Sequence, residues 1–133
     1  MHNKFIAFSV VSAIILISII AFFYRADENI NSDNIRYINS MGRQVEEKCS
    51  DISYFKIPEE FDSVFTAYNK IVLQAGYDLT PFKGCRAVRY SYIATDTNDN
   101  ALINIIRCRD EIISADISSS GANGYLKPLS GQD

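Results

Sequence analysis

Hydrophobic and polar positions separate sharply along this chain. Residues 5–24 form an apolar run broken only by Ser9, Ser12 and Ser18. As a helix rising 1.5 Å per residue, those 20 positions span about 30 Å, the hydrocarbon thickness of a bilayer. Lys4 and Arg25 bracket the run, and Phe22, Phe23 and Tyr24 stand where interfacial aromatics belong. A cleaved signal peptide is the competing reading, but its apolar core is normally shorter and ends in small residues at −3 and −1. Cleavage after Ala26 would put Tyr24 at −3, and cleavage after Ala21 would put Ile19 there. The pattern therefore predicts an uncleaved anchor in the lipid bilayer. The amino terminus and Lys4 precede it, and Arg25 is followed by Asp27 and Glu28. By the positive-inside rule, the first four residues stay cytoplasmic and the rest of the chain is sent out.

Past the anchor, residues 26–33 are polar and read as a linker. Asp33 or Asn34 can cap a short helix carrying Ile35, Ile38 and Met41, with Gly42 as its left-handed stop. A strand over 43–48 with Val45 inward is expected next. A second extended piece over 53–57 ends at Pro58, which disfavours helix for the residue before it. Over 58–75, Phe61, Val64, Phe65, Tyr68, Ile71, Val72 and Ala75 fall at offsets 0, 3, 4, 7, 10, 11 and 14, one stripe of a 3.6-residue helix. Pro58 suits its first turn, Glu59, Glu60 and Asp62 complement its dipole, and Gly76 stops it.

Period two takes over after a turn at 78–84. Val88, Tyr90, Tyr92 and Ala94 alternate with Arg89 and Ser91. A polar turn at 96–100 leads into the β-branched strand 101–107. Arg109, Asp110 and Glu111 turn it back into 112–117. The expected fold class is thus α+β: a transmembrane helix, a short helix, a strand, a long amphipathic helix, and a three-stranded antiparallel meander on which that helix lays its stripe. Tyr125, Leu126 and Leu129 around Pro128 supply a last apolar anchor, so the domain is expected over 34–129, with a flexible tail at 130–133.

Composition agrees. With 133 residues, 47% of them hydrophobic, and only 6 Gly and 3 Pro, neither a disordered nor a collagen-like chain fits. Removing Lys4 and Arg25 from the 13 basic residues leaves 11 against 16 acids, so the part beyond residue 25 is near −5 and no nucleic-acid footprint is expected. Roughly 100 residues bury about two thirds of their surface, enough for one two-layer core.

Candidate chemistry is sparse. Cys49, Cys85 and Cys108 have spacings of 36 and 23, which match no zinc pattern, and the only histidine is His2. Two readings stay open: three free or buried thiols, or one disulfide with a thiol left over. If a pair forms, Cys85 with Cys108 is expected, since both flank the meander. Glu59, Glu60 and Asp62 sit at a predicted helix start, and Asp96, Asp99 and Asp110 in turns, with no calcium-loop spacing. Tyr90 and Tyr92 beside Arg89 can stack bases, but in an acidic domain sheet packing is the expected role. No Gly-rich phosphate loop or Gly-x-Ser-x-Gly is present. No cofactor, metal or catalytic residue is expected.

Several motifs carry a resemblance. They are Arg36-Tyr37-Ile38-Asn39-Ser40-Met41-Gly42, Ile57-Pro58-Glu59-Glu60-Phe61, Tyr68-Asn69, and Gln74-Ala75-Gly76-Tyr77-Asp78-Leu79. Further on come Phe82-Lys83-Gly84, Arg89-Tyr90-Ser91-Tyr92, Ile112-Ile113-Ser114-Ala115-Asp116-Ile117 and Gly124-Tyr125-Leu126. On these, about three quarters of the chain resembles an uncharacterised family of single-span, membrane-anchored domains found mainly in Gram-positive Firmicutes. Where that family usually has a glycine pair before the late aspartate, this chain has Ser114 and Ala115, and Cys85 stands where a lysine is typical. The resemblance implies the same anchored α+β domain and brings no activity, ligand or catalytic residue.

The expected function is a membrane-tethered, non-enzymatic interaction or regulatory domain meeting an envelope protein. The alternative is a module binding a small ligand or cell-wall fragment through Tyr77, Asp78, Lys83, Arg89 and Asp116. An enzyme working with two carboxylates ranks last, because no pair stands out.

Overall fold

The computed structural model describes residues 2–131. Two units divide the chain, Met1–Asp33 and Asn34–Asp133. Helix α1 runs over His2–Ser40 and is, from Ser9 on, long and apolar enough to cross a membrane. Val11, Ile14, Leu16, Ile17, Ile20 and Phe22 are all exposed, so the helix is apolar around its circumference over residues 10–24.

Residues 26–33 are helical rather than a linker. Neither Gly nor Pro occurs between residues 2 and 40, and each polar residue costs a growing helix only tenths of a kcal/mol. Extension also needs no new nucleus, so Asp33 and Asn34 have no helix start to cap. Asn34 is instead a fully buried interior helix residue: its Nδ2 donates to the Tyr92 hydroxyl at 3.1 Å, and its Oδ1 accepts from Arg107 Nη1 at 2.7 Å. The helix stops at Gly42, whose φ of 74° takes the left-handed turn expected of it.

The second unit is built on one antiparallel sheet of five strands in chain order: β1 (Asp51–Lys56), β2 (Arg86–Ile93), β3 (Leu102–Cys108), β4 (Glu111–Ser119) and β5 (Tyr125–Pro128). The expected meander is its interior, and β1 and β5 extend it at the two edges. The predicted strand over 43–48 reduces to a single bridge, Val45 to Ala94. Its place beside β2 is already taken, because β1 pairs with β2 from Asp51–Ser91 to Lys56–Arg86. Arg109 and Asp110, at φ 51° and 66°, make the two-residue turn between β3 and β4.

Register decides what each face carries. On one face, Tyr92, Ile103 and Ile117 form a row, and Tyr90, Ile105 and Ala115 form the next. Ile38 inserts here with no exposed surface, flanked by Ile35 and Met41. The opposite face carries the rows Ser91–Asn104–Asp116 and Arg89–Ile106–Ser114, and it is covered by helix α2 (Ser63–Leu73). Under α2, Phe61, Phe65 and Tyr68 pack on a cluster that includes Ile57, Leu79, Ala87 and Ile106.

Helix α2 is shorter than its apolar stripe predicts. Asp62 caps it, accepting from the Phe65 N–H at 2.8 Å, and residues 57–62 stay outside. The first of these residues is still held to the chain just before β2, with the Ile57 N–H on the Cys85 carbonyl at 2.9 Å and the Gly84 N–H on the Ile57 carbonyl at 2.8 Å. Glu59 accordingly pairs with Lys56 at 3.1 Å rather than facing a helix dipole. Of the predicted stripe, Phe65, Tyr68 and Val72 turn inward, whereas Val64 is 71% exposed. Gly76, at φ 86°, ends the helix as expected.

Cys85 and Cys108 form a disulfide with Cα atoms 6.5 Å apart, joining the chain just before β2 to the end of β3. Cys49 is free; burial pushes its thiol pKa up, so little of it is the reactive thiolate. The expected tail at 130–133 lies partly outside the described residues.

Ile38 tests whether the end of α1 belongs to the domain core. Ile38→Ala should cost about 2–5 kcal/mol of unfolding free energy by denaturant titration. A cost below about 0.5 kcal/mol would show that residues 34–40 are not a structural part of the domain.

Candidate functional site

Between α2 and the sheet lies a cleft of about 420 Å³. Phe55, Val64, Phe65, Leu79, Ile106 and Leu126 give it apolar walls. Its polar groups are Ser53, Tyr68, Arg89, Asn104, Asp116 and Ser118. Local structure accounts for each position. Residues i and i+2 of a strand share a face, so Asp116 and Ser118 of β4 point the same way, and the register sets Asn104 of β3 opposite Asp116. Tyr68 reaches them from the inward side of α2.

Asp116 lies at the floor, 3% exposed. Its Oδ2 accepts from the Tyr68 hydroxyl at 2.7 Å and its Oδ1 from Asn104 Nδ2 at 2.7 Å. Asn104 continues the network: its Oδ1 accepts from Ser91 Oγ at 2.7 Å, and its Nδ2 also reaches Ser118 Oγ at 3.2 Å. Ser114 Oγ and the Tyr68 hydroxyl are 3.0 Å apart. Burial holds the Asp116 carboxyl above the usual carboxylate range, against the opposing pull of its two hydrogen bonds and the nearby Arg89 charge. Burial, and then the charge of Asp116, likewise push the Tyr68 phenol well above its ordinary value, so it stays a neutral donor. Arg89 is exposed, and its Nη2 donates to Ser53 Oγ at 3.4 Å.

Of the five residues expected to contact a ligand, the structure brings two together, Arg89 and Asp116. Tyr77, Asp78 and Lys83 do not line this cleft. The Tyr77 hydroxyl bonds to that of Tyr37, and its ring packs on the core of the other sheet face. Asp78 orders the turn after α2: its Oδ1 accepts from the Thr80 N–H at 2.9 Å and from Asn69 Nδ2 at 3.1 Å, bonds that hold its carboxyl below the usual range. Lys83 sits 4.9 Å over the Phe61 ring and lines a smaller cleft beside the disulfide. The underlying reason is that residues adjacent in a turn diverge in space, because α2 ends above one face and the chain must cross to the start of β2.

Sequence reasoning missed Tyr68, Asn104 and Ser118. Asn104 did leave a signal, a lone amide inside the apolar run Ala101–Ile106, where a central strand buries both faces and any polar side chain needs partners. Tyr68 was hidden in the helix stripe, since its ring obeys the apolar period and only its hydroxyl serves the site. Tyr90 and Tyr92 are packing residues, with Tyr92 fully buried. Among the turn acids, Asp96 is ion-paired with Arg43 at 2.8 Å.

Chemically, the cleft offers one buried carboxyl group, one cation at the rim and neutral donors and acceptors between them. Two-acid glycoside chemistry needs a second carboxyl group, and this cleft has one. Among the described residues, no group of three or more His, Cys, Asp or Glu is arranged to hold a metal. No family model, curated protein or solved structure matches this chain.

The carboxyl pKa of Asp116 predicts a pH dependence. Because the folded state holds this proton more tightly than the unfolded chain, it binds more protons between the ordinary value of 3.8 and the raised one. The Asp116 contribution to stability is therefore greatest below 3.8 and falls as pH rises through that window. Asp116→Asn removes this titration while keeping an acceptor for Asn104. Urea unfolding at stepped pH should show the variant gaining on the native chain as pH rises above the ordinary carboxyl value of 3.8. A difference that is flat with pH would mean that the carboxyl group is not desolvated.

Proposed function

We propose that this chain is a single-pass, membrane-tethered domain on the outer face of the cytoplasmic membrane, and that it works by binding a small ligand in the α2–sheet cleft rather than by catalysis. The anchor rests on the apolar length of α1 and the orientation on the charges at its two ends. One observation carries the binding reading: a buried carboxyl group lies at the floor of an apolar-walled cleft, with Arg89 at its rim. Ligand sites have this composition, apolar walls for affinity and a few converging polar groups for orientation. Between the two expected kinds of partner, an envelope protein and a small molecule, a concave cleft of about 420 Å³ favours the small molecule.

A thermal-shift screen of the full chain in detergent micelles tests this reading. A hit should raise the melting temperature reproducibly, and the rise should vanish in Arg89→Ala and in Leu126→Trp, which fills the cleft. A screen without hits, or hits indifferent to both substitutions, overturns it.

A second reading has its own observation. Strand β1 is an edge of the sheet, with Tyr54 78% exposed and Ile52 beside it on the same face. Such an edge can accept an extended segment of an envelope protein as a sixth strand. A photocrosslinking residue at position 54, used in cells, should then capture one dominant partner. Background products alone would leave the edge without that role.

A further inference from the structure

We propose that the ligand of the α2–sheet cleft is a zwitterionic α-amino acid with an apolar side chain, its ammonium on Asp116 and its carboxylate on Arg89. This inference rests on the cleft being the binding site, and it goes further by assigning the ligand's chemistry.

The charges of the cleft carry the argument. Asp116 is nearly fully buried, yet both of its hydrogen bonds come from neutral groups, the Tyr68 hydroxyl and the Asn104 amide. Among the described residues no cation is in ion-pair contact with it. A carboxylate has about four acceptor positions, so each oxygen keeps room for another donor. Buried charges are normally paired or else neutralised by a shifted pKa, and an ammonium entering with the ligand would supply the pairing that holds Asp116 as a carboxylate. A bare cation is a poor match, however, because Arg89 lines the same space and would repel it. A bare anion meets the same objection from Asp116. Only a molecule bearing both signs satisfies both groups, with its own dipole set opposite to theirs.

Register limits how far apart the ligand's charges can be. Arg89 belongs to β2 and Asp116 to β4, two strand spacings of about 4.8 Å apart across the sheet and two residues apart along it. Arg89 shares its row with Ile106 and Ser114, whereas Asp116 shares its row with Asn104 and Ser91. The arginine side chain is long enough to cover part of that distance, its Nη2 now resting on Ser53 Oγ at 3.4 Å, and its charge lowers the Asp116 carboxyl pKa as the smallest of the influences on it. The gap suits an ammonium and a carboxylate carried on one carbon better than charges at the two ends of a long chain. Polar partners for this head group stand close by in Ser53 and Ser118, while Phe55, Phe65, Leu79 and Leu126 offer the walls for an apolar side chain.

Isothermal titration calorimetry on the full chain in detergent micelles tests the assignment. The probes are leucine (both enantiomers), N-acetylleucine, leucinamide and serine. At least one leucine enantiomer should bind. Acetylation, which removes the ammonium, and amidation, which removes the carboxylate, should each weaken binding at least tenfold. Arg89→Ala and Asp116→Asn should do the same for leucine, with Arg89→Ala the safeguard should the buried substitution disturb folding. Serine should bind at least tenfold more weakly than leucine. If either single-charge analogue binds within threefold of leucine, the zwitterion assignment falls; if serine does, the apolar side chain falls. If no amino acid binds while another class of compound still shows a cleft-dependent thermal shift, this inference fails and the cleft reading stands. If nothing binds in either experiment, both fail.

Discussion

The amide of Asn104 sits mid-strand at the centre of the sheet, and its position constrains most of what surrounds it. On the α2 side of β3 it must find hydrogen bonds or cost the domain the desolvation of a buried polar group, about 1–3 kcal/mol. It finds Ser91 on one neighbouring strand, and Asp116 and Ser118 on the other. Those bonds are compatible with only one register on each side, because a one-residue slip would turn every partner to the opposite face. Asp116 in turn requires a second donor, which Tyr68 supplies from α2. A single buried amide thus couples strand register to helix placement, and the same coupling leaves a carboxyl group at the floor of a cleft.

The two sheet faces solve different problems. Beneath residues 34–41, Tyr92, Ile103, Ile105 and Ala115 make a fully buried apolar layer, with the Asn34 amide set between Tyr92 and Arg107. Beneath α2 the apolar packing centres on Ile57, Leu79, Ala87 and Ile113, with the Cys85–Cys108 disulfide beside it, and its Leu79 and Ile106 also wall the cleft. The polar row Ser91–Asn104–Asp116 lies next to it, and its Asn104 and Asp116 line the cleft. Packing on one face supplies stability, so the opposite face can carry charged and hydroxyl groups that contribute less to it.

Much of this architecture was legible in residue order. The alternation of Val88, Tyr90 and Tyr92, the turn at Arg109 and Asp110, and the stops at Gly42 and Gly76 are local matters, decided by which backbone angles and faces each residue tolerates. The start of α2 was misplaced for a non-local reason. Pro58 and the acids after it read as a helix start, but Ile57 is still bonded to Gly84 and Cys85, just before β2, and the helix begins only after the Asp62 cap. The linker was misread because polarity alone does not end a helix that lacks Gly or Pro.

For the site the division is sharper. Sequence alone determined that Arg89 and Asp116 are polar positions on strands, that one apolar segment is long enough to cross a bilayer, and that an amphipathic helix and antiparallel strands follow it. Each is a property of local periodicity, which a chain carries whether or not it is folded. Only the tertiary structure decided that Arg89 and Asp116 share a cleft while Tyr77, Asp78 and Lys83 do not, and that Tyr68 and Asn104 join them. Those groupings depend on strand register and on which face α2 covers, and both are settled when residues far apart in the chain bury their polar groups against one another.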